Sequence, residues 1–160
     1  MKSVITGTGA YIPEVLRSNQ DFVNNTFHND KGLPITDTSA SIIEKFQKIT
    51  GIRERRYVPE YLNTSDIAAF AGMQALKDSG IDPETLDQII VAHNFGDIAY
   101  QDLQSQNVPS LASKVKHRVG IQNPQCIAYD ILFGCPGWIQ ALIQSEAYLK
   151  AGMAKKVLLI

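Results

Sequence analysis

The sequence predicts an α/β fold in which helices pack on a mostly parallel sheet, and two observations carry that prediction. Short, nearly continuous apolar runs such as Gln88-Ile89-Ile90-Val91-Ala92 have the composition of strands buried on both faces. Single helical stretches separate these runs, and a strand followed by one helix and another strand is the connection that makes neighbouring strands parallel. A chain of 160 residues with 44% hydrophobic content can bury one sizeable core, so a single domain is expected.

Residues Ser3 to Thr8 form a short β-prone run ending at Gly7 and Gly9, and are expected to be the first strand. From residue 24 to 41 the chain is polar and broken by Asn29-Asp30, Gly32 and Pro34, which reads as a long surface excursion before a helix over 41–49. Thr64-Ser65-Asp66 starts a helix whose apolar residues Ile67, Ala68, Ala71, Ala75 and Leu76 recur at spacings of three and four, with Gly80 at its end. Asp82-Pro83-Glu84 marks a turn before the strand at 88–92. A helix over 109–119 with a basic end follows, then a strand over 126–131, a helix bearing Ile139, Leu142, Ile143, Ala147 and Leu149, and a last strand over 157–160.

Fifteen basic against sixteen acidic residues leave a formal net charge of −1, so no overall field draws the chain to nucleic acid or an anionic membrane. Small molecules or another protein are the expected ligands. The amino terminus lacks the apolar core of a signal peptide and no apolar run approaches the length of a membrane span, which predicts a soluble cytoplasmic protein. Cys126 and Cys135 lie nine residues apart with no partner at zinc-ligand spacing, so neither a metal site nor a disulfide framework is expected.

Cys135 stands in Phe133-Gly134-Cys135-Pro136-Gly137-Trp138, where a strand enters a tight turn and a helix begins. Pro136 suits the first helical position, which would make Cys135 the N-cap. There the partial positive charge and unpaired N–H groups of a helix start favour thiolate, the reactive form, and the same N–H groups can stabilise an oxyanion. The competing reading of Cys135 is a buried structural cysteine, since free cysteines are among the most buried residues. Cys126, inside a strand, is assigned to the core.

Three segments in order resemble β-ketoacyl-acyl-carrier-protein synthase III: Ile5-Thr6-Gly7-Thr8-Gly9-Ala10-Tyr11-Ile12-Pro13, Thr50-Gly51-Ile52-Arg53-Glu54-Arg55-Arg56, and Asp130 through Gly137. The resemblance covers nearly the whole chain. It implies that residues 1–160 are the amino-terminal domain of a thiolase-like fold, one βαβαβ-type half with helices on both faces of its sheet, whose carboxy-terminal half is not present. It further implies that Cys135 is the nucleophile that accepts an acyl group as a thioester and passes it to the carbanion of a decarboxylated malonyl thioester, in fatty-acid or related lipid synthesis.

The same resemblance implies no cofactor, acyl-CoA or acyl-carrier-protein thioesters as substrates, acyl carrier protein as partner, and a homodimer. The family's His and Asn partners belong to its second half and none of His28, His93 and His117 matches them. His28 reads as a loop residue, His117 as a helix-surface residue and His93 as a polar residue satisfied at a strand end. Arg53 is the substrate-binding candidate by motif position, with Arg55, Arg56, Lys114, Lys116 and Arg118 as further basic groups. Trp138 is a candidate tunnel wall. Where the family commonly has a Trp and an Arg that clamp coenzyme A, this chain has Lys45 and Ile49, and Pro136 replaces the usual Ala. Other readings are a relative of 3-hydroxy-3-methylglutaryl-CoA synthase, an alkylresorcinol-type synthase, or a non-catalytic acyl-binding or interaction module.

Overall fold

A computed structural model describes residues 3–160. They divide into two compact units, one comprising the residues up to Tyr11 with Glu60–Ile160, the other Ile12–Pro59.

In the larger unit the sheet has three parallel strands: β3 (Gln88–His93) lies between β4 (Ile127–Leu132) and β5 (Val157–Leu159). Gln88 pairs with Ile127 on one side and Val157 on the other. The buried run Gln88–Val91 is thus the central strand, as its apolar continuity predicts. α3 (Leu111–Val119) carries the chain from β3 to β4, and α4 (Gly137–Lys150) carries it back past β3 to β5. The two crossovers run in opposite directions along the sheet, so a common right-handed sense places their helices on opposite faces.

The side chains record the same division. Ile89 and Val91 join a buried cluster with Leu111, Ala112 and Val115 of α3 and with Ala68, Ala69 and Leu76 of α2 (Thr64–Ser79). Burial of each large aliphatic side chain in this cluster contributes about 1.5–3 kcal/mol. Ile90 and Ala92 alternate to the other face, where a Cβ added to Gly137 of α4 would lie 3.2 Å from that of Ala92. Helices on both faces of a parallel sheet is the architecture expected.

The first-strand expectation for Ser3–Thr8 is corrected: that segment makes no strand. Its end is drawn to α2 instead, with the Thr8 N–H donating to Asp78 Oδ2 at 2.9 Å and, just beyond it, the Ala10 N–H donating to Gln74 Oε1 at 3.2 Å. Gly7 and Gly9 allow this approach. A Cβ on Gly7 would sit 2.5 Å from the Ala75 carbonyl oxygen, and one on Gly9 would collide with Ala71 O and Ala75 N.

The smaller unit pairs β1 (Val15–Ser18) antiparallel with β2 (Glu54–Tyr57), Arg17 lying opposite Arg55. Neither strand was foreseen, because four residues as polar as Glu54-Arg55-Arg56-Tyr57 lack the alternation that marks a strand. α1 (Ser39–Thr50) is capped by Thr38, whose hydroxyl accepts the Ser41 N–H. Asn19 Nδ2 donates to Ile52 O and to Gln47 Oε1, tying the turn after β1 to the end of α1. Phe22 and Tyr57 pack with ring centroids 6.4 Å apart, as do Phe27 and Phe46.

Candidate active site at the β4–α4 corner

β4 ends at Leu132, Gly134 turns the chain in the left-handed region with φ 77°, and α4 begins at Gly137. The Gly137 N–H closes the turn on Gly134 O at 3.0 Å, and the Gln140 N–H takes Pro136 O. Pro136 is therefore the N-cap, and Cys135 lies one residue outside the position expected for it. Pro136 adopts φ −87°, which its ring permits at either place. Among the described residues no backbone carbonyl accepts the N–H of Cys135, Trp138 or Ile139, so the corner retains the unpaired donors of a helix start.

Cys135 is exposed and Cys126 is buried. The structural-cysteine reading of Cys135 does not hold, and Cys126 sits in the core cluster as assigned. Burial pushes the Cys126 thiol above its ordinary range, with Asp87 and Glu84 adding to the rise and Lys116 opposing it. Gly137 is buried against Ala92 of β3 and Phe133; a Cβ there would press on the Ala92 Cβ at 3.2 Å and touch the Phe133 Cβ at an ordinary contact distance of 3.5 Å. Around the corner Leu132, Phe133, Trp138, Ile139 and Ile143 remain exposed.

Behind the corner lies a polar network that the sequence reading did not assemble. His93 ends β3 and its Nε2 lies 3.0 Å from Asp130 Oδ2 on β4, while its Nδ1 accepts the Gly96 N–H at 2.8 Å. The Asp130 carboxylate also accepts the N–H groups of Leu111 and Ala112 at 2.7 and 2.8 Å, so it caps α3. His93 is thus satisfied at a strand end, as anticipated. A carboxylate in an otherwise apolar strand was the available signal. Its partners, 37 residues away for His93, could not be read from spacing.

Asp97 anchors the segment between β3 and α3. It is 2% exposed and accepts from Ser65 N at 2.8 Å, Ser65 Oγ at 2.7 Å and Lys114 Nζ at 2.9 Å. Burial acts to raise this carboxyl, but hydrogen bonds from Lys114 and Ser65 and the lysine charge outweigh it and hold the group below the ordinary carboxylate range. On β4, burial and the neighbouring Tyr148 push the Tyr129 phenol up to about 12.

Trp138 is 44% exposed in the first turn of α4 and three residues from Cys135. Arg53 is exposed in the smaller unit, where its carbonyl accepts the Asn19 N–H. Lys45 is engaged by Asp37 at 2.5 Å and Ile49 is 81% exposed. His28 and His117 are surface residues. Among the described residues no group of three or more His, Cys, Asp or Glu side chains could hold a metal ion, and no helix is long and apolar enough to cross a membrane.

No family model matches the sequence. Against known proteins, β-ketoacyl-acyl-carrier-protein synthase III 1 of Vibrio vulnificus is 32% identical over 160 residues, all of this chain and 43% of that protein. The synthase III of Neisseria meningitidis is 36% identical over 156 residues, 98% of this chain and 42% of its own length. The crystal structure of the Thermus thermophilus synthase III matches 97% of the chain and 41% of that protein with a TM-score of 0.73 and 35% identity. Over its whole length the chain is similar to β-ketoacyl-acyl-carrier-protein synthase III. Its fold is the thiolase fold of the condensing enzymes. The chain spans about 43% of the length of the synthase III proteins it matches.

Proposed function

We propose that this chain supplies the acyl-carrying nucleophile, Cys135, of a condensing acyltransferase of the synthase III type. The observation that carries the reading is the exposed thiol beside unpaired N–H donors at the β4–α4 corner, in a chain similar throughout to synthase III proteins. The thiolate sulfur attacks the carbonyl of an acyl thioester and the carrier thiol leaves. A malonyl thioester then loses carbon dioxide, its carbanion attacks the enzyme-bound acyl carbonyl, and the 3-oxoacyl thioester departs as the Cys135 sulfur is released. Splitting the reaction in this way separates acyl transfer from carbon–carbon bond formation. In this reading the unpaired N–H of Cys135 donates to the oxyanion that forms at the acyl carbonyl.

The His and Asn implied by the resemblance would complete the site from residues other than those of this chain. Fatty-acid or related lipid synthesis is the corresponding process, and the 3-hydroxy-3-methylglutaryl-CoA synthase, alkylresorcinol and non-catalytic readings are not favoured by these relatives. Trp138 is assigned to the wall of the acyl channel and Arg53 to the phosphates of the incoming carrier, on the strength of their exposure. No bound cofactor is required for the chemistry. A cytoplasmic homodimer that meets acyl carrier protein is the assembly proposed, and the exposed apolar residues around the corner fit burial against further protein.

The test is turnover of the complete protein with an acyl thioester and malonyl-acyl carrier protein. Cys135→Ala is expected to abolish formation of the 3-oxoacyl thioester, whereas Cys126→Ala retains it. Undiminished condensation by Cys135→Ala would refute the assignment.

A further inference from the structure

We propose that His93 is a positioning residue for the Cys135 corner, acting through Asp130 and the end of β3 rather than by touching substrate. The proposal rests on Cys135 being the nucleophile. Its own evidence is the hydrogen-bond geometry. Nδ1 of His93 accepts the Gly96 N–H at 2.8 Å, so that nitrogen presents a lone pair and the ring proton sits on Nε2, which donates to Asp130 Oδ2 at 3.0 Å. Both ring nitrogens are committed and the side chain is 6% exposed, which leaves no site for proton exchange with a ligand. His93 therefore holds structure in place.

What it holds is specific. Asp130 receives three donors, from His93, Leu111 and Ala112, and so joins β3, β4 and the first turn of α3. Asp130 lies five residues before Cys135 on the strand that leads into the corner. The residue preceding His93, Ala92, is the one against which Gly137 of α4 packs, and the Ala92 N–H is itself fixed to Ile160 O at 2.7 Å. The corner is thus gripped on one side through β4 and on the other by the end of β3. Without the imidazole, Asp130 loses a donor and the buried Gly96 N–H loses its acceptor, and the stretch against which α4 starts is released. The N–H donors of that helix start are the groups whose placement about the Cys135 sulfur matters, and displacing such groups by about 1 Å costs roughly 100-fold in rate.

Glutamine and asparagine separate the two contacts. The amide nitrogen of Gln reaches the place of Nε2 and can still donate to Asp130, whereas the amide oxygen of Asn takes the place of Nδ1 and can still accept from Gly96. The complete protein and its His93→Gln, His93→Asn and His93→Ala variants are compared in three measurements: the rate of Cys135 alkylation by iodoacetamide, the kcat and KM for acyl donor, and the thermal midpoint. We expect kcat to fall by about 10- to 100-fold in His93→Ala and His93→Asn with KM changed by less than about threefold, and His93→Gln to restore kcat to within about threefold. Cys135 alkylation should follow the same order. Wild-type kcat in His93→Asn, or equal loss in His93→Gln and His93→Asn, would overturn the proposal. So would rates that follow only the thermal midpoint. If His93→Ala does not fold, the Gln and Asn pair decides. Failure of the nucleophile assignment would look different, because wild-type protein would then form no acyl-Cys135 while the alkylation order could still be read.

Discussion

Replacing Lys114 by Met leaves one of the most buried carboxylates among the described residues without the cation that pairs with it. The Lys114 and Asp97 side chains are 14% and 3% exposed and meet at 2.9 Å, and Asp97 keeps only the two Ser65 donors when the ammonium is gone. Breaking a buried pair from one side typically costs about 3–5 kcal/mol, and the surviving Ser65 bonds place this case near the lower end, about 3 kcal/mol. Urea unfolding at pH 7 should register this as a midpoint lowered by about 1 M or more. The double variant Lys114→Met/Asp97→Asn, which removes the stranded charge, should recover a good part of the loss, and the cycle gives the coupling directly.

The pH dependence has a definite sign. In the wild type Asp97 is held below its unfolded value of about 3.9, so its contribution is full above that value and is lost as pH falls through the lower folded value. In Lys114→Met burial is less opposed and the folded carboxyl binds its proton more readily. The stability gap between the two proteins should therefore narrow as pH falls from 7 to 4. A variant within about 0.5 kcal/mol of wild type at pH 7, or a gap that widens in acid, would refute this account of the anchor.

Two further outcomes follow from the fold. Gly9→Ala should displace the segment before Tyr11 from α2, because the new methyl group meets Ala71 O and Ala75 N; amide exchange at Thr8 and Ala10 should quicken, and unchanged protection would contradict the packing described. Lys45, held by Asp37, and the exposed Ile49 offer neither the aromatic face nor the guanidinium that would stack on adenine, contributions of about 1–3 kcal/mol. Acylation of the complete protein should then favour a carrier-protein donor over the same acyl group on coenzyme A, and efficient transfer from micromolar acyl-CoA with no carrier preference would count against it.

The central strand was legible in the sequence because Gln88-Ile89-Ile90-Val91 is a nearly unbroken apolar run, the pattern of a strand covered on both faces. α2 was legible through its spacing of small apolar residues. β1 and β2 were not, since Leu16-Arg17-Ser18 and Glu54-Arg55-Arg56 owe their pairing to contacts across 36 or more residues and not to any local preference. Ser3–Thr8 misled for the opposite reason. Its composition favours a strand, but the side chains of Asp78 and Gln74 take the backbone donors of Thr8 and of Ala10 just after it. At the site, Gly134-Cys135-Pro136-Gly137 announced a strand-to-helix corner and the structure moved the helix start by one residue. His93 could be read as a residue satisfied at a strand end, but its partners could not, and Asp97 and Lys114 showed nothing of their pairing, because burial and hydrogen-bond partners are properties of the assembled fold.

The most direct measurement of the central claim is acyl mapping. The complete protein is mixed with an acyl thioester, quenched in acid before condensation, digested and analysed by mass spectrometry. The account predicts one acylated peptide, spanning the β4–α4 corner and carrying the group on Cys135 as a hydroxylamine-labile thioester, with none on Cys126, whose thiol is buried and held protonated. Acyl groups on Cys126, or undiminished labelling in a Cys135→Ala variant, would contradict it.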